Sequence, residues 1–208
     1  MGKDYAHPET GQTISFREPT TAKSIAFASF ALKNREKAEE FGYVKKEILD
    51  PRWLQLGRIV RTSEGVWANL QSPTTDEKEL NQLINSAQKV NGIYFLANGS
   101  AFAPYDSFEQ GVQEHGDFVE GGLARSLEGT RERKAQKLEV IANPKLYKHG
   151  VNVWGFESVK KPVIAVASLV SYGGDGRLFV LGGNLYDNDF GYAFGVREDD
   201  AEGVARKK

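Results

Sequence analysis

"SYGGDGRLFVLGGNLYDNDFGYAFGV", residues 171–196, alternates short apolar pieces with Gly, Asn and Asp. GRLFVLGG and YAFGVR have the length and side-chain types of strands, and the Gly-rich or Asn/Asp-rich pieces between them have the chemistry of turns. The stretch sits inside a compositional gap: from Val163 to Arg197, 35 residues, there is no Lys, Glu, Gln, Met or Trp. Those five types supply 46 of the chain's 208 residues, so about eight were expected in a window of that length.

Upstream, NVWGF (152–156) and PVIAVASLV (162–170) extend the β pattern. Before Val151 the order is mixed. Ile14 and Phe16 alternate with polar neighbours as a short strand does, and a helix is expected from about Thr21 to Glu40. Its first half is apolar nearly all round (Ile25, Phe27, Ala28, Phe30, Ala31, Leu32) and its second half charged, which implies one buried end. Strands are expected at Leu54–Val60 and Val66–Leu70 around the turn at 62–65. Thr74 followed by Glu77 fits a capping box, and Leu80, Leu83, Ile84 and Ala87 recur with helical spacing. Ile93–Leu96 reads as a strand and 97–111 as a long turn-rich connection. Asp117 with Glu120 offers a second N-cap before Phe118, Val119, Leu123 and Leu127, Gly129 interrupts that helix, and Leu138 and Ile141 continue it toward Pro144. Mixed elements followed by strands place the chain in the α+β class, as a single domain over 1–208.

Net charge is −1 and no Lys/Arg block lies beside interleaved aromatics, which argues against a nucleic-acid groove or an anionic membrane surface as partner. The absence of Cys excludes disulfides, thiolate metal sites and cysteine nucleophiles. The start lacks an apolar h-region and no 18-residue apolar run occurs, so neither a classical signal peptide nor membrane insertion is expected and the protein is placed in a cytoplasm or on a virion.

Candidate chemistry is sparse. His7, His115 and His149 have no ligand partner one helical turn away. Asp187-Asn188-Asp189, with Asp175 nearby, could offer oxygens to a hard cation, but no 12-residue calcium loop is present. GGDG (173–176) lacks the Lys-Ser/Thr of a phosphate cradle, and no Ser sits in a G-x-S-x-G turn. The expectation is a protein without catalytic residues, metal or cofactor.

The gap from 163 to 197 has a codon-level reading. Asn codons AAC and AAT, altered only at their adenines, yield Asn, Asp, Tyr, His, Ser, Gly, Cys, Thr, Ala, Pro, Arg, Val, Ile, Leu and Phe. Lys, Glu, Gln, Met and Trp cannot arise. A diversity-generating retroelement, which rewrites adenines in a C-terminal variable region, leaves this signature; the β-rich, Gly-rich character of the segment explains part of it independently.

The flanking residues carry a resemblance. GVNVWGF (150–156) resembles the Gly-Asn-Val-Trp motif of the formylglycine-generating-enzyme type of C-type lectin fold, Gly182-Gly183 resembles its Gly-Gly turn, and Gly195-Val196-Arg197 sits where its closing Gly-Phe-Arg falls. Variable proteins of diversity-generating retroelements are similar to this lineage, and the chain resembles their archaeal branch. Two positions depart from the pattern: Val196 replaces Phe, and Leu185 stands where a Trp commonly follows Gly-Gly.

The resemblance implies a C-type lectin fold with Trp154 in its core. VIAVAS, Gly176-Arg177-Leu178, Val180, Gly182-Gly183 and 193–196 are then scaffold. The candidate variable, ligand-binding positions are Val170, Tyr172, Gly173, Asp175, Phe179, Asn184, Leu185, Tyr186, Asn188, Phe190 and Tyr192. Tyr, Asn and Gly are residues that antibody paratopes favour, so the ligand is expected to be a protein. Three rivals stand beside this reading. An undiversified viral structural or receptor-binding protein would carry the same fold. A calcium-dependent sugar-binding lectin would carry Glu-Pro-Asn or Gln-Pro-Asp with Trp-Asn-Asp, none of which occurs. An enzyme of the formylglycine-generating kind needs Cys.

Overall fold

The computed structural model describes residues 3–6, 13–49, 53–172, 175–183, 191–193 and 196–197. Strands β1 (Lys3–Ala6) and β2 (Thr13–Arg17) form an antiparallel hairpin. Helix α1 (Thr21–Lys33), helix α2 (Glu39–Tyr43) and a π-turn (Val44–Leu49) lead into β3 (Trp53–Arg61) and β4 (Gly65–Ala68). Helix α3 (Glu77–Ser86) precedes β5 (Gln88–Val90), β6 (Ile93–Phe95), β7 (Ala101–Pro104) and β8 (Gly111–Gln113). Helices α4 (His115–Glu120), α5 (Gly122–Glu128) and α6 (Gln136–Ile141) follow. The chain then runs through β9 (Val151–Trp154), β10 (Val163–Val170), β11 (Leu178–Leu181), β12 (Gly191–Ala193) and β13 (Val196–Arg197). The class is α+β, as expected.

One large sheet organises the molecule, in the order β5-β6-β7-β4-β3-β10-β11-β9-β8, with β12 parallel to the start of β3. Its pairs are otherwise antiparallel except β11 with β9. β13 joins β2, so the two ends of the chain share a second, small sheet. No helix among the described residues is long and apolar enough to cross a membrane.

The central pair β3–β10 shows how sequence sets register. Leu54 and Leu56 face the core, then the pairing slips between Ala167 and Ser168 opposite Gly57, and Ile59 faces the core again. A bulge adds one residue and therefore inverts the alternation, which is how an L-x-L-G-x-I pattern keeps all three apolar side chains on one side. Gly57 has φ +145, and a Cβ there would lie 2.8 Å from the Pro19 carbonyl oxygen; only Gly fits where the chain entering α1 crosses the strand.

Ala165, Ala167 and Leu169 of β10, Val151 and Val153 of β9, and Leu178 and Val180 of β11 complete this core face, against which α1, α4, α5 and α6 lay Ile25, Ala28, Phe118, Leu123, Leu127 and Leu138. α1 ends at Lys33 rather than near Glu40: the Asn34 amide and its side-chain Nδ2 both donate to the Phe30 carbonyl and close the last turn. Its apolar surface is also less buried than expected, with Phe27 and Phe30 exposed.

The opposite face is covered at one end by α3, whose Leu80, Leu83 and Ile84 pack on Val60, Trp67, Phe102 and Tyr94. The helix begins later than the capping-box reading placed it. Asp76 accepts from Lys78 N (2.8 Å) and Glu79 N (3.3 Å), while Thr74 only receives the Asp76 amide, because a carboxylate at the positive end of the helix is the better cap. Asp117 likewise lies inside α4 and is not its cap. Gly129, at φ +68, ends α5 as a left-handed C-cap.

Asn69, just past β4, is buried with φ +61 and locks two helices together. Its Oδ1 accepts from Thr21 Oγ1 (2.8 Å) and Ala22 N (2.7 Å), and its Nδ2 donates to the carbonyls of Ser126 (2.8 Å) and Leu127 (3.2 Å). One amide thus serves the unsatisfied N–H end of α1 and the unsatisfied C=O end of α5.

Candidate binding face

Beyond the reach of α3, the outer face of the sheet is built from β8, β9, β11 and the C-terminal half of β10. Pairing puts Val112, Asn152, Phe179 and Val170 in one register row, and Trp154, Leu181 and Ser168 in the next. Alternation sends all of them away from Val151, Val153, Val180 and Leu169, which face the core. Three of these outer-face positions are large, apolar and open to solvent: Trp154 is 65 % exposed, Val112 58 % and Tyr172 44 %.

Tyr172 lies two residues past the end of β10, on the same side as Val170 by alternation, and packs edge-on against Phe179 with ring centroids 5.2 Å apart. The loop that follows is held by the Asp175 amide donating to the Tyr172 carbonyl (3.0 Å), by an Asp175–Arg177 ion pair (3.3 Å) and by Arg177 Nε donating to the His149 carbonyl (3.0 Å). Asp175 is thus half-buried and committed to a turn, and Tyr172 and Phe179 form an aromatic step beside the flat surface of β9 and β8.

Two expectations are corrected by this geometry. Val170 is fully buried; it follows the bulge, where β10 is flanked by β3 and β11, and it has no surface to offer a ligand. Trp154 is not a core residue. In Val151-Asn152-Val153-Trp154 the valines take the inner positions, and strict alternation leaves Trp154 outside with Asn152. Of the other candidates, Tyr172, Asp175 and Phe179 are brought together, the backbone of Tyr192 lies in β12 beside Leu54, and Gly173, Asn184, Leu185, Tyr186, Asn188 and Phe190 lie outside the described residues. Val112 and Trp154 belong to the same face and were missed as site residues. The alternation in 151–154 was the signal for Trp154, whereas nothing around Val112 marked a strand.

The two motifs that carry the C-type lectin resemblance meet here. The Gly182 amide donates to the Trp154 carbonyl (3.0 Å), and a Cβ on Gly182 would lie 2.5 Å from the Phe156 ring. Comparison with protein-family models, with curated proteins and with solved structures finds no match to this chain.

Proposed function

We propose that this chain is a non-enzymatic binding protein with a C-type lectin fold, diversified by a retroelement over 163–197, whose outer sheet face recognises variable ligands of protein nature in a cytoplasm or on a virion. The observation that carries the reading is the open apolar face itself: Trp154, Val112 and the Tyr172–Phe179 step share one side of a sheet. An exposed cluster of large apolar side chains is a solubility liability in a monomer and a recognition surface in a binding protein. Tyr172 and Phe179 belong to the adenine-mutable set and Trp154 lies before the window that lacks Trp, so the face joins a constant half to a variable half. The packing of 154–156 on Gly182 supports the lectin-like reading, since it joins in space the two sequence motifs on which the resemblance rests.

Sequencing the locus tests the reading. A reverse-transcriptase gene and a near-copy of the 163–197 coding segment are expected beside the gene, with AAC or AAT aligned to Tyr172, Asp175, Phe179, Asn184, Tyr186 and their fellow candidates. A template with Asn codons at none of those positions ends the retroelement reading. An isolated gene in a virion-protein cluster favours the undiversified viral alternative.

A further inference from the structure

We propose a second ligand site, separate from the C-terminal face: a groove between α3 and the segment 160–162 that takes a small zwitterion with an apolar body, namely an apolar amino acid, free or within a short peptide. Trp67 lines this groove, whose volume is about 310 Å³, near the lower end of the roughly 300–1,000 Å³ typical of small-molecule sites.

The argument starts from one atom. Trp67 is fully buried, and its indole Nε1–H has no hydrogen-bond acceptor. A buried donor without a partner carries an uncompensated desolvation cost, so such groups are rare and call for an explanation. The hydroxyl of Thr62, which also lines the groove, is committed to the turn: it accepts from the amides of Glu64 and Gly65 and donates to the Gly65 carbonyl. An acceptor supplied from the groove would satisfy the indole.

The other walls define what carries that acceptor. Leu80 and Ile84 present an apolar side, while Glu64, Glu77 and Lys160 contribute charges that no ion pair among the described residues engages. A carboxylate oxygen on the indole N–H, with Lys160 as counter-charge, satisfies the donor. The two glutamates then suit an ammonium, and Leu80 with Ile84 suits an aliphatic side chain between the charges. A purely anionic ligand meets two carboxylates against one lysine, and a purely apolar one leaves the indole unpaired.

Titration of the ¹⁵N-labelled protein with L-leucine and with dileucine tests the site, read on the three Trp indole cross-peaks. The Trp67 peak is identified by its loss in Trp67→Phe and independently by its contacts to the Phe102 ring, 5.2 Å away. We expect that peak alone to shift saturably in the millimolar range. N-acetyl-L-leucine and L-leucinamide, each lacking one charge, should bind at least tenfold more weakly, and Lys160→Ala and Glu77→Gln at the exposed mouth should each weaken binding without moving Tm. Saturation by leucine alone identifies the free amino acid, and saturation by dileucine as well identifies the peptide source. A Trp67 peak that stays fixed with both probes, or that shifts equally with all four compounds and in both variants, overturns the proposal.

Discussion

Asn69→Ala is the most informative single perturbation of the scaffold. Three effects add. Removal of Oδ1 orphans the Ala22 amide, since Thr21 Oγ1 keeps its bond to the Leu127 carbonyl (2.7 Å); an orphaned buried donor costs about 1–3 kcal/mol. Loss of Nδ2 removes bonds to two carbonyls that each retain another partner, a net loss of about 1 kcal/mol. Ala at φ +61 pays about 1 kcal/mol that Asn largely avoids, because Asn tolerates the left-handed region. The total is about 3–5 kcal/mol. Urea unfolding followed by circular dichroism should show a lower midpoint at unchanged m-value. Asn69→Gly separates the causes: it relieves the backbone but keeps the lost bonds, so it should recover about 1 kcal/mol relative to Ala. An Ala variant within about 1 kcal/mol of the parent would refute the claim that this amide couples α1 to α5.

Val170→Ala should cost about 1–3 kcal/mol because it empties a buried site, whereas Tyr172→Ser, two residues on, should cost about 1 kcal/mol or less; equal costs in chemical denaturation would contradict their assignment to core and surface. Trp154→Ala should lower stability by less than about 1 kcal/mol, against the roughly 3–5 kcal/mol of a buried Trp, and a loss in the higher range would remove it from the binding face. Burial, opposed by the Arg61 charge and aided by Glu157, raises the Tyr105 phenol from 10.0 to about 12. The fold therefore favours the neutral form, so this contribution is complete below pH 10 and disappears as pH rises through about 12. Tm measured across that window should fall less steeply in Tyr105→Phe, and parallel curves would exclude the linkage.

The sequence was most legible where a side-chain pattern has one structural solution. The period of Leu80, Leu83 and Ile84 specified α3, and alternation in β10 and β11 specified strands, since each pattern buries one face only in its own geometry. It was least legible in 97–111, read as a connection although it holds β7 and β8. Ala101-Phe102-Ala103-Pro104 has low strand propensity, and it is a strand because β4 and β6 flank it. The Asn91-Gly92 pair, at φ +48 and +85, was an available hairpin signal for β5 and β6. For the binding face, residue type identified Tyr172 and Phe179, but the exclusion of Val170 depends on its two flanking strands, which appear only in three dimensions.

The pairing of β3 with β10 dictates how the chain matures on the ribosome. Trp53 must wait for Val170, and Thr13–Arg17 for Val196–Arg197, before either strand finds its neighbour. At translation rates of ~5–20 residues per second the central strand spends roughly 5–20 s with that edge unpaired. Late, long-range closure of this kind makes folding slow and leaves the nascent chain in need of protection from its own strand edges. It also means that the segment from Val163 onward is the last to emerge, and that it supplies the strand that completes the sheet. Whatever alters its side chains is therefore screened first for strand pairing, before any ligand is met.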